Sequence, residues 1–281
     1  MFRKLFKKWR REPDVEQPPS CIGPNTKLFV STDRQIVFGP EAEDLLHHHS
    51  DVKYLTKDGV VEIDRERWEE AQSYEWGTWM SEGGVNACDD RNMEHCERFN
   101  GYEVLKGRRL PRVIELGCGP FTNARLVLPK LAHCADVTLL DPLVDSYLGH
   151  PNCTYVSGEL CGVPVTTVAS SIEAFEVPKP YDLLILVNVL EHCFSVPRCF
   201  DVITSALRPG GVLVFAESML RPEDLPRLVE NWYDAGHPIR LSADYVATFL
   251  HGSFCTLFEE VYEGLYSQTH RMDLYFIGER D

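Results

Sequence analysis

The sequence predicts an α/β protein: a seven-stranded, mostly parallel sheet with helices on both faces, preceded by a small β-rich and helical extension. Two patterns lead there. From Pro111 onward, short apolar β-prone runs alternate with helical stretches, the rhythm of parallel strands joined by crossovers. Within that rhythm, the run "RVIELGCGPFTNARLVLPKL" (112–131) places a Gly-x-Gly turn between a strand and a helix, where a ligand can approach backbone.

Composition narrows the possible functions. The 281 residues are 44% hydrophobic and 25% charged, ordinary for a globular chain, and suffice for one large domain with an extension. The formal net charge is −15, yet residues 1–11 hold six basic side chains and no acidic one. The remainder therefore carries 22 basic against 43 acidic residues, a balance of −21. Such a body repels phosphate backbones, so nucleic acid is not expected as a partner. Ten cysteines occur without a C-x-x-C pair or zinc spacing, which predicts a reducing, cytoplasmic setting and no metal site. No run of 18 apolar residues is present, and the first residues lack the apolar core of a secretory signal.

Taken in order, "MFRKLFKKWRR" spaces Phe2, Leu5, Phe6 and Trp9 as one helix face, with basic residues largely opposite. Two readings stand for residues 1–12: an amphipathic helix in peripheral contact with the inner membrane surface, or a frayed solvated tail. Pro13, Pro18 and Pro19 mark a linker, so residues 1–26 form the first unit. Residues 27–94 form the second. Its strand-like runs "KLFVS", "RQIVF" and "VKYLTKDGVVEI" include a hairpin turn expected at Lys57-Asp58-Gly59. The triplet His47-His48-His49 reads as a surface loop, since adjacent residues face different ways. "DRERWEEAQSYEWGTWMSEGG" is expected to be a helix capped by Asp64 and ended by Gly83 and Gly84. Its aromatic stripe, with Trp68 and Trp79, serves either as core or as a lid over the site. A further helical stretch runs from about Arg91 to Leu105.

Residues 95–281 form the third unit. "RVIEL", "VTLLD", "VTTVAS", "YDLLILVN" and "GVLVFAE" are five expected strands, with two more near "TLFEEVYEG" and "MDLYFIGER". "PRCFDVITSAL" is the helix after the fourth. The glycine turn lacks the third glycine of a dinucleotide fingerprint, because position 122 is Thr. Asp141 closes the second strand 22 residues after Gly119, where an acid meets the hydroxyls of a ribose. Glu115, before the turn, repels a pyrophosphate and attracts an ammonium. A ligand with a ribose and an amino-acid ammonium, S-adenosylmethionine, fits these charges better than NAD. Each feature alone also has a structural reading: a tight connection, a plain Asp-Pro turn, a helix start at Glu191-His192.

In combination, Glu115-x-Gly117-x-Gly119, Asp141, "YDLLILVNVLEH" and "LRPGGVLVFAE" resemble the class I S-adenosylmethionine-dependent methyltransferases over about residues 95–281. The resemblance implies a Rossmann-like sheet and S-adenosylmethionine as cofactor. It implies that Glu115, Gly117 and Gly119 contact the methionine part, with Cys118 between them, and that Asp141, followed by Pro142, holds the ribose. Ser171, Ile172 and Glu173 are expected at the adenine if "VTTVAS" is the third strand; the other register uses Gly158-Glu159-Leu160. Asn188 and Val189 border cofactor and substrate. Phe121 stands where the family often has a third glycine and is expected to narrow the methionine end.

Methyl transfer to a hydroxyl needs a general base, and His192 and His237 lie in connections at the rim where substrates enter. Arg240 could hold an anionic group. The expected activity is methylation of a hydroxyl or amine on a small-molecule or glycan acceptor. The alternative is a methyltransferase-like scaffold that has lost catalysis, and a nicotinamide-dependent dehydrogenase is a third reading. No sequence feature sets the oligomeric state.

Overall fold

The computed structural model describes residues 29–30, 36–37, 58–81, 90, 92–221, 235–263 and 271–281. The basic tail, the histidine triplet, Lys57, Gly83 and Gly84 lie outside them. Strands β1 (Phe29–Val30) and β2 (Ile36–Val37) pair antiparallel, within the two runs expected as strands. Strand β3 is Gly59–Val60.

Helix α1 spans Arg65–Met80. It starts where the sequence places it, because the Asp64 carboxylate accepts the Arg67 backbone N–H at 2.9 Å. Its last residue precedes the expected glycines, and the Ser81 N–H closes onto the Gly77 carbonyl. Asp64→Ala removes a cap of about 1 kcal/mol and is expected to lower the melting temperature by about 2–4 °C, checked by far-ultraviolet circular dichroism. Helix α2 (Asn92–Arg98) follows, then a kinked 3-10 segment, Asn100–Leu105, whose Gly101 and Tyr102 at φ 63° and 60° break the continuous helix expected there.

The main sheet begins with β4 (Arg112–Leu116), followed by α3 (Ala124–Val127), β5 (Asp136–Leu140), α4 (Val144–Tyr147), β6 (Glu159–Leu160) and β7 (Val163–Val168). It continues through β8 (Tyr181–Val187), α5 (Val196–Ala206) and β9 (Leu207–Leu220). Beyond β10 (Arg240–Leu241) and α6 (Ala243–Ser253), β11 (Phe254–Glu263) and β12 (Arg271–Arg280) complete the chain. The strand order is β11-β12-β9-β8-β4-β5-β7-β6. Strands β9, β8, β4, β5 and β7 run parallel, and β12 runs antiparallel between β11 and β9. Seven strands are those expected; the eighth, β6, is a two-residue edge strand. It hairpins onto β7 through Cys161 and Gly162, both at positive φ as a two-residue β-hairpin favours.

Strand β8 shows why the sequence reads as a sheet covered on both faces. Leu183 and Ile185 pack into one core while Leu184 and Leu186 pack into the other, so every position from Leu183 to Val187 is apolar. In "LRPGG" the chain shifts register between Tyr181 and Leu183 of β8, and Gly210 takes φ 69°. This bulge lets β9 start at Leu207, earlier than the apolar run suggests.

The segment before the sheet is fastened to its rim. Strand β3 pairs antiparallel with β10, so the partner seen for Gly59–Val60 is Arg240–Leu241. Gly59 has φ 97°, and a Cβ there would meet the Arg240 carbonyl oxygen at 2.0 Å. Arg240 is buried in this pairing and does not line the cavity, so the anionic-group role expected for it finds no support in its position.

Candidate cofactor and acceptor site

At the carboxyl ends of the parallel strands lies a cavity of about 410 Å³, within the ~300–1,000 Å³ range of small-molecule sites. The turn after β4 forms its floor, Asp141 and Ser171 stand on one side, and Asn188 and His192 on the other. Helix α1 covers it with Trp68, Gln72, Glu75, Thr78 and Trp79. The stripe on α1 thus packs into the core and also lines the cavity: Trp68 is buried, and its indole N–H donates to the His192 carbonyl at 3.0 Å. Gln72 donates to the same oxygen at 3.1 Å.

The glycine turn is built by close approach. Gly117, at φ 69°, leaves no room for a side chain, since a Cβ would lie 2.4 Å from Val189 Cγ1. Gly119, at φ 52°, has open space where its Cβ would be, space a ligand can take. Cys118 lines the cavity with its thiol near the Tyr155 hydroxyl, and burial pushes its pKa well up, so the thiol stays protonated. Phe121 lines the cavity, its ring held between Trp79 and His150 at centroid distances of 5.9 and 5.7 Å.

Glu115 is placed behind the turn and does not line the cavity. Its buried carboxylate accepts the Thr122 hydroxyl, the Asn123 N–H at 2.8 Å, the Asn123 amide at 3.1 Å and the Ala124 N–H at 2.9 Å. Four donors thus hold the first turn of α3 against the end of β4. Burial raises its pKa, and these hydrogen bonds oppose the rise.

Asp141 lines the cavity beside Pro142. Its two oxygens accept the Gly119 N–H at 3.1 Å and the Leu143 N–H at 2.8 Å, which aims the carboxylate across the glycine turn. Burial lifts its pKa to about 6 despite these amides. Ser171 and Ile172 follow β7, the register with "VTTVAS" as third strand, and both line the cavity. Glu173 also reaches the wall, but one carboxylate oxygen accepts the Phe194 and Ser195 amides at 2.7 and 3.0 Å, ahead of α5.

Asn188 sits at φ 57°, a left-handed conformation uncommon outside glycine, and lines the cavity with Val189. The kink is held from β9: the Asn188 N–H donates to the Ala216 carbonyl at 2.8 Å, and the Val189 and Leu190 amides both donate to Glu217 Oε1 at 2.7 Å.

His192 and His237 come together on the wall, ring centroids 4.7 Å apart. His192 Nδ1 lies 2.9 Å from the Gly236 carbonyl. A carbonyl only accepts, so Nδ1 carries the proton and Nε2 is the basic nitrogen of the neutral ring. His237 Nε2 lies 3.6 Å from Glu191 Oε1. Sequence spacing shows no metal-ligand cluster, yet the fold brings ligand atoms of Glu191, His192 and His237 within 4.8 Å of one another, and likewise those of Glu173, Cys193 and Cys199.

Several polar wall residues escape the sequence reading, Asn123, Ser218 and Asp273 among them. Asn123 Oδ1, Ser171 Oγ, Glu173 Oε2 and Asp273 Oδ2 are buried without a hydrogen-bond partner among the described residues, and all four residues line the cavity. Ser171 was expected there; Asn123, Asp273 and its neighbour Ser218 were not. The one available signal was Asp273 itself, an acid inside the apolar strand "MDLYFIG". A ligand with donors and acceptors at these points would satisfy groups the protein leaves open. The residues fit S-adenosylmethionine: Asn123 Oδ1 can accept from an ammonium, the Asp141 carboxylate from ribose hydroxyls, and Ser171 Oγ can pair with the base.

Strand order and the place of the cavity define the class: a methyltransferase-type sheet, its reversed strand slotted between the last parallel strand and β11. The sequence pattern of the family described as "Methyltransferase domain" matches residues 89–258, more than half of the chain, and the chain belongs to that family. No curated protein matches the chain. Among solved structures it is similar to the N-methyltransferase NodS from Bradyrhizobium japonicum in complex with S-adenosylhomocysteine, at 17% identity and TM-score 0.52, covering 75% of this chain and 98% of that one. A Leishmania major S-adenosylmethionine-dependent methyltransferase gives 19% and 0.55, covering 76% and 85%. The Burkholderia thailandensis 1,6-didemethyltoxoflavin-N1-methyltransferase gives 16% and 0.54, covering 79% and 94%. These are likenesses of fold. The cofactor of the domain is S-adenosylmethionine, as the sequence resemblance implied. No described helix is long and apolar enough to cross a membrane.

Proposed function

We propose that the chain methylates a hydroxyl or amine of a small-molecule or glycan acceptor that enters between α1 and the rim of β8. S-adenosylmethionine, when bound, supplies a methyl group already activated by its positively charged sulfur. Asp141 holds the ribose hydroxyls, Ser171 and Ile172 meet the base, and Gly119 and Asn123 face the methionine end. Glu115 acts as a positioning residue that fixes the turn. Asn188 and Val189 separate cofactor from acceptor, and the lid on α1 excludes water while the nucleophile is aligned. For a hydroxyl acceptor, His192 takes the proton through Nε2, with His237 beside it as the second candidate.

The observation that supports this reading best is one cavity with a ribose-type carboxylate at one side and a histidine pair at the other. The test is S-adenosylhomocysteine production from S-adenosylmethionine across hydroxyl and amine acceptors, with calorimetric titration of NADH alongside. We expect product with at least one acceptor and no NADH binding. With a hydroxyl acceptor, His192→Ala is expected to lower kcat about 10²-fold with little change in cofactor affinity, and His237→Ala less. NADH binding without S-adenosylmethionine binding would reverse the assignment.

A further inference from the structure

The cavity's charges are one-sided. Glu75, Asp141, Glu173, Glu191 and Asp273 line it, while no Lys or Arg does so among the described residues. Asp141 and Glu173 belong to the cofactor side. Asp273 is different: it stands on β12, four strands away from β5, which carries Asp141 at its end. At about 4.8 Å per strand that is roughly 19 Å, so the two acids mark opposite ends of the space, with Asn188 between them.

Asp273 is also prepared for a ligand. It pairs across the ladder with Ser218 of β9, whose hydroxyl donates to Oδ1 and fixes the carboxylate. Its other oxygen, Oδ2, is buried without a partner among the described residues, on a side chain only 6% exposed. A buried carboxylate oxygen left open is costly unless something supplies a donor, and a positively charged nitrogen supplies the strongest one. The aromatic lining from α1 and the glycine turn, Trp79 and Phe121 among it, suits a flat or cationic body.

Building on the methyltransferase reading of this cavity, we propose that Asp273 anchors the acceptor, and that the acceptor is a small molecule carrying a protonated amine or other cationic nitrogen. The carboxylate pairs with that nitrogen, Ser218 orients the carboxylate, and no Lys or Arg among the described lining residues offers a fixed counter-charge for a carboxylate or phosphate on the acceptor.

The test uses the full chain and a panel of arylalkylamines and N-heterocyclic amines that carry a second group, a hydroxyl or neutral amine, to take the methyl, each matched with an analogue in which the cationic nitrogen is replaced by a neutral hydroxyl and one in which it is replaced by a carboxylate. S-adenosylhomocysteine production is the readout, and calorimetric binding of S-adenosylhomocysteine is measured separately. At least one amine is expected to exceed both of its partners in kcat/KM by tenfold or more. Asp273→Asn should raise the KM of that amine at least tenfold while leaving S-adenosylhomocysteine affinity unchanged, and Ser218→Ala should raise it by a smaller factor. The proposal is overturned if no amine outperforms its matched analogues, or if Asp273→Asn leaves the preference intact. Failure of S-adenosylhomocysteine itself to bind would instead bring down the methyltransferase reading, a distinct outcome.

Discussion

Asp141→Ala is expected to weaken S-adenosylmethionine binding by about 10²- to 10⁴-fold. The carboxylate already accepts the Gly119 and Leu143 amides, which leaves it lone pairs for two ribose hydroxyls. Hydrogen bonds to a charged acceptor contribute about 1.5–3 kcal/mol each, and two of them give that range. Titration sharpens the expectation. Burial holds the Asp141 pKa at about 6, and only the ionised carboxylate can accept from both hydroxyls while keeping its two amides. As pH falls through 6 the group takes up a proton, so affinity should drop, approaching tenfold per pH unit. Calorimetry between pH 5 and 8 checks both points. Asp141→Asn, which keeps one accepting oxygen for the turn, controls for a distorted glycine loop and should bind with intermediate affinity and no inflection near pH 6. An alanine variant with unchanged affinity would remove Asp141 from the cofactor site.

The parts of this site legible in the sequence are those that local chain geometry encodes. A glycine that must adopt positive φ, an acid at a strand's end and an apolar run flanked by turns are written in consecutive residues. Gly117, Asp141 and β8 therefore fall where expected, and "VTTVAS" is the third strand. The role expected of Glu115 illustrates the limit. Its charge invites an ammonium, but the helix that starts nine residues later exposes free backbone amides, and the buried acid turns toward those instead. Long-range pairings are invisible at that level. Ser218 and Asp273 meet only because β12 runs backward beside β9, and neither residue's sequence neighbours hint at the other. The joining of His192 to His237 depends likewise on the chain returning to the rim at Gly236, 44 residues after His192. Helix α1 shows a third case: its stripe is readable, but whether Trp68 faces core or ligand is decided by the His192 carbonyl it happens to meet.

Glu217→Gln is expected to stabilise the protein, and to do so more as pH rises. Glu217 is 2% exposed; burial pushes its carboxyl to about 8, the nearby charges of Glu191 and Asp273 add to the rise, and the Val189 and Leu190 amides oppose it. In the unfolded chain the group ionises near its ordinary value of about 4.5. Below that value both states are protonated and its contribution is fully present. Between about 4.5 and 8 the folded protein holds a proton that the unfolded chain has released, so stability falls by about 1.4 kcal/mol per pH unit at most. Above 8 the loss levels off. Glutamine keeps a neutral carbonyl oxygen for the two amides and cannot ionise, so the Asn188 kink stays pinned while the pH-dependent loss disappears. Urea unfolding of both proteins at pH 5.5, 6.5, 7.5 and 8.5 separates the cases. The variant's advantage should grow across the series and reach roughly 2–4 kcal/mol at the top. The slope that Asp141 contributes between about 4 and 6 is common to both proteins and cancels in the difference. Parallel curves would mean that Glu217 is ionised in the folded state throughout, and that Val189 and Leu190 are held by a charge the surrounding core tolerates.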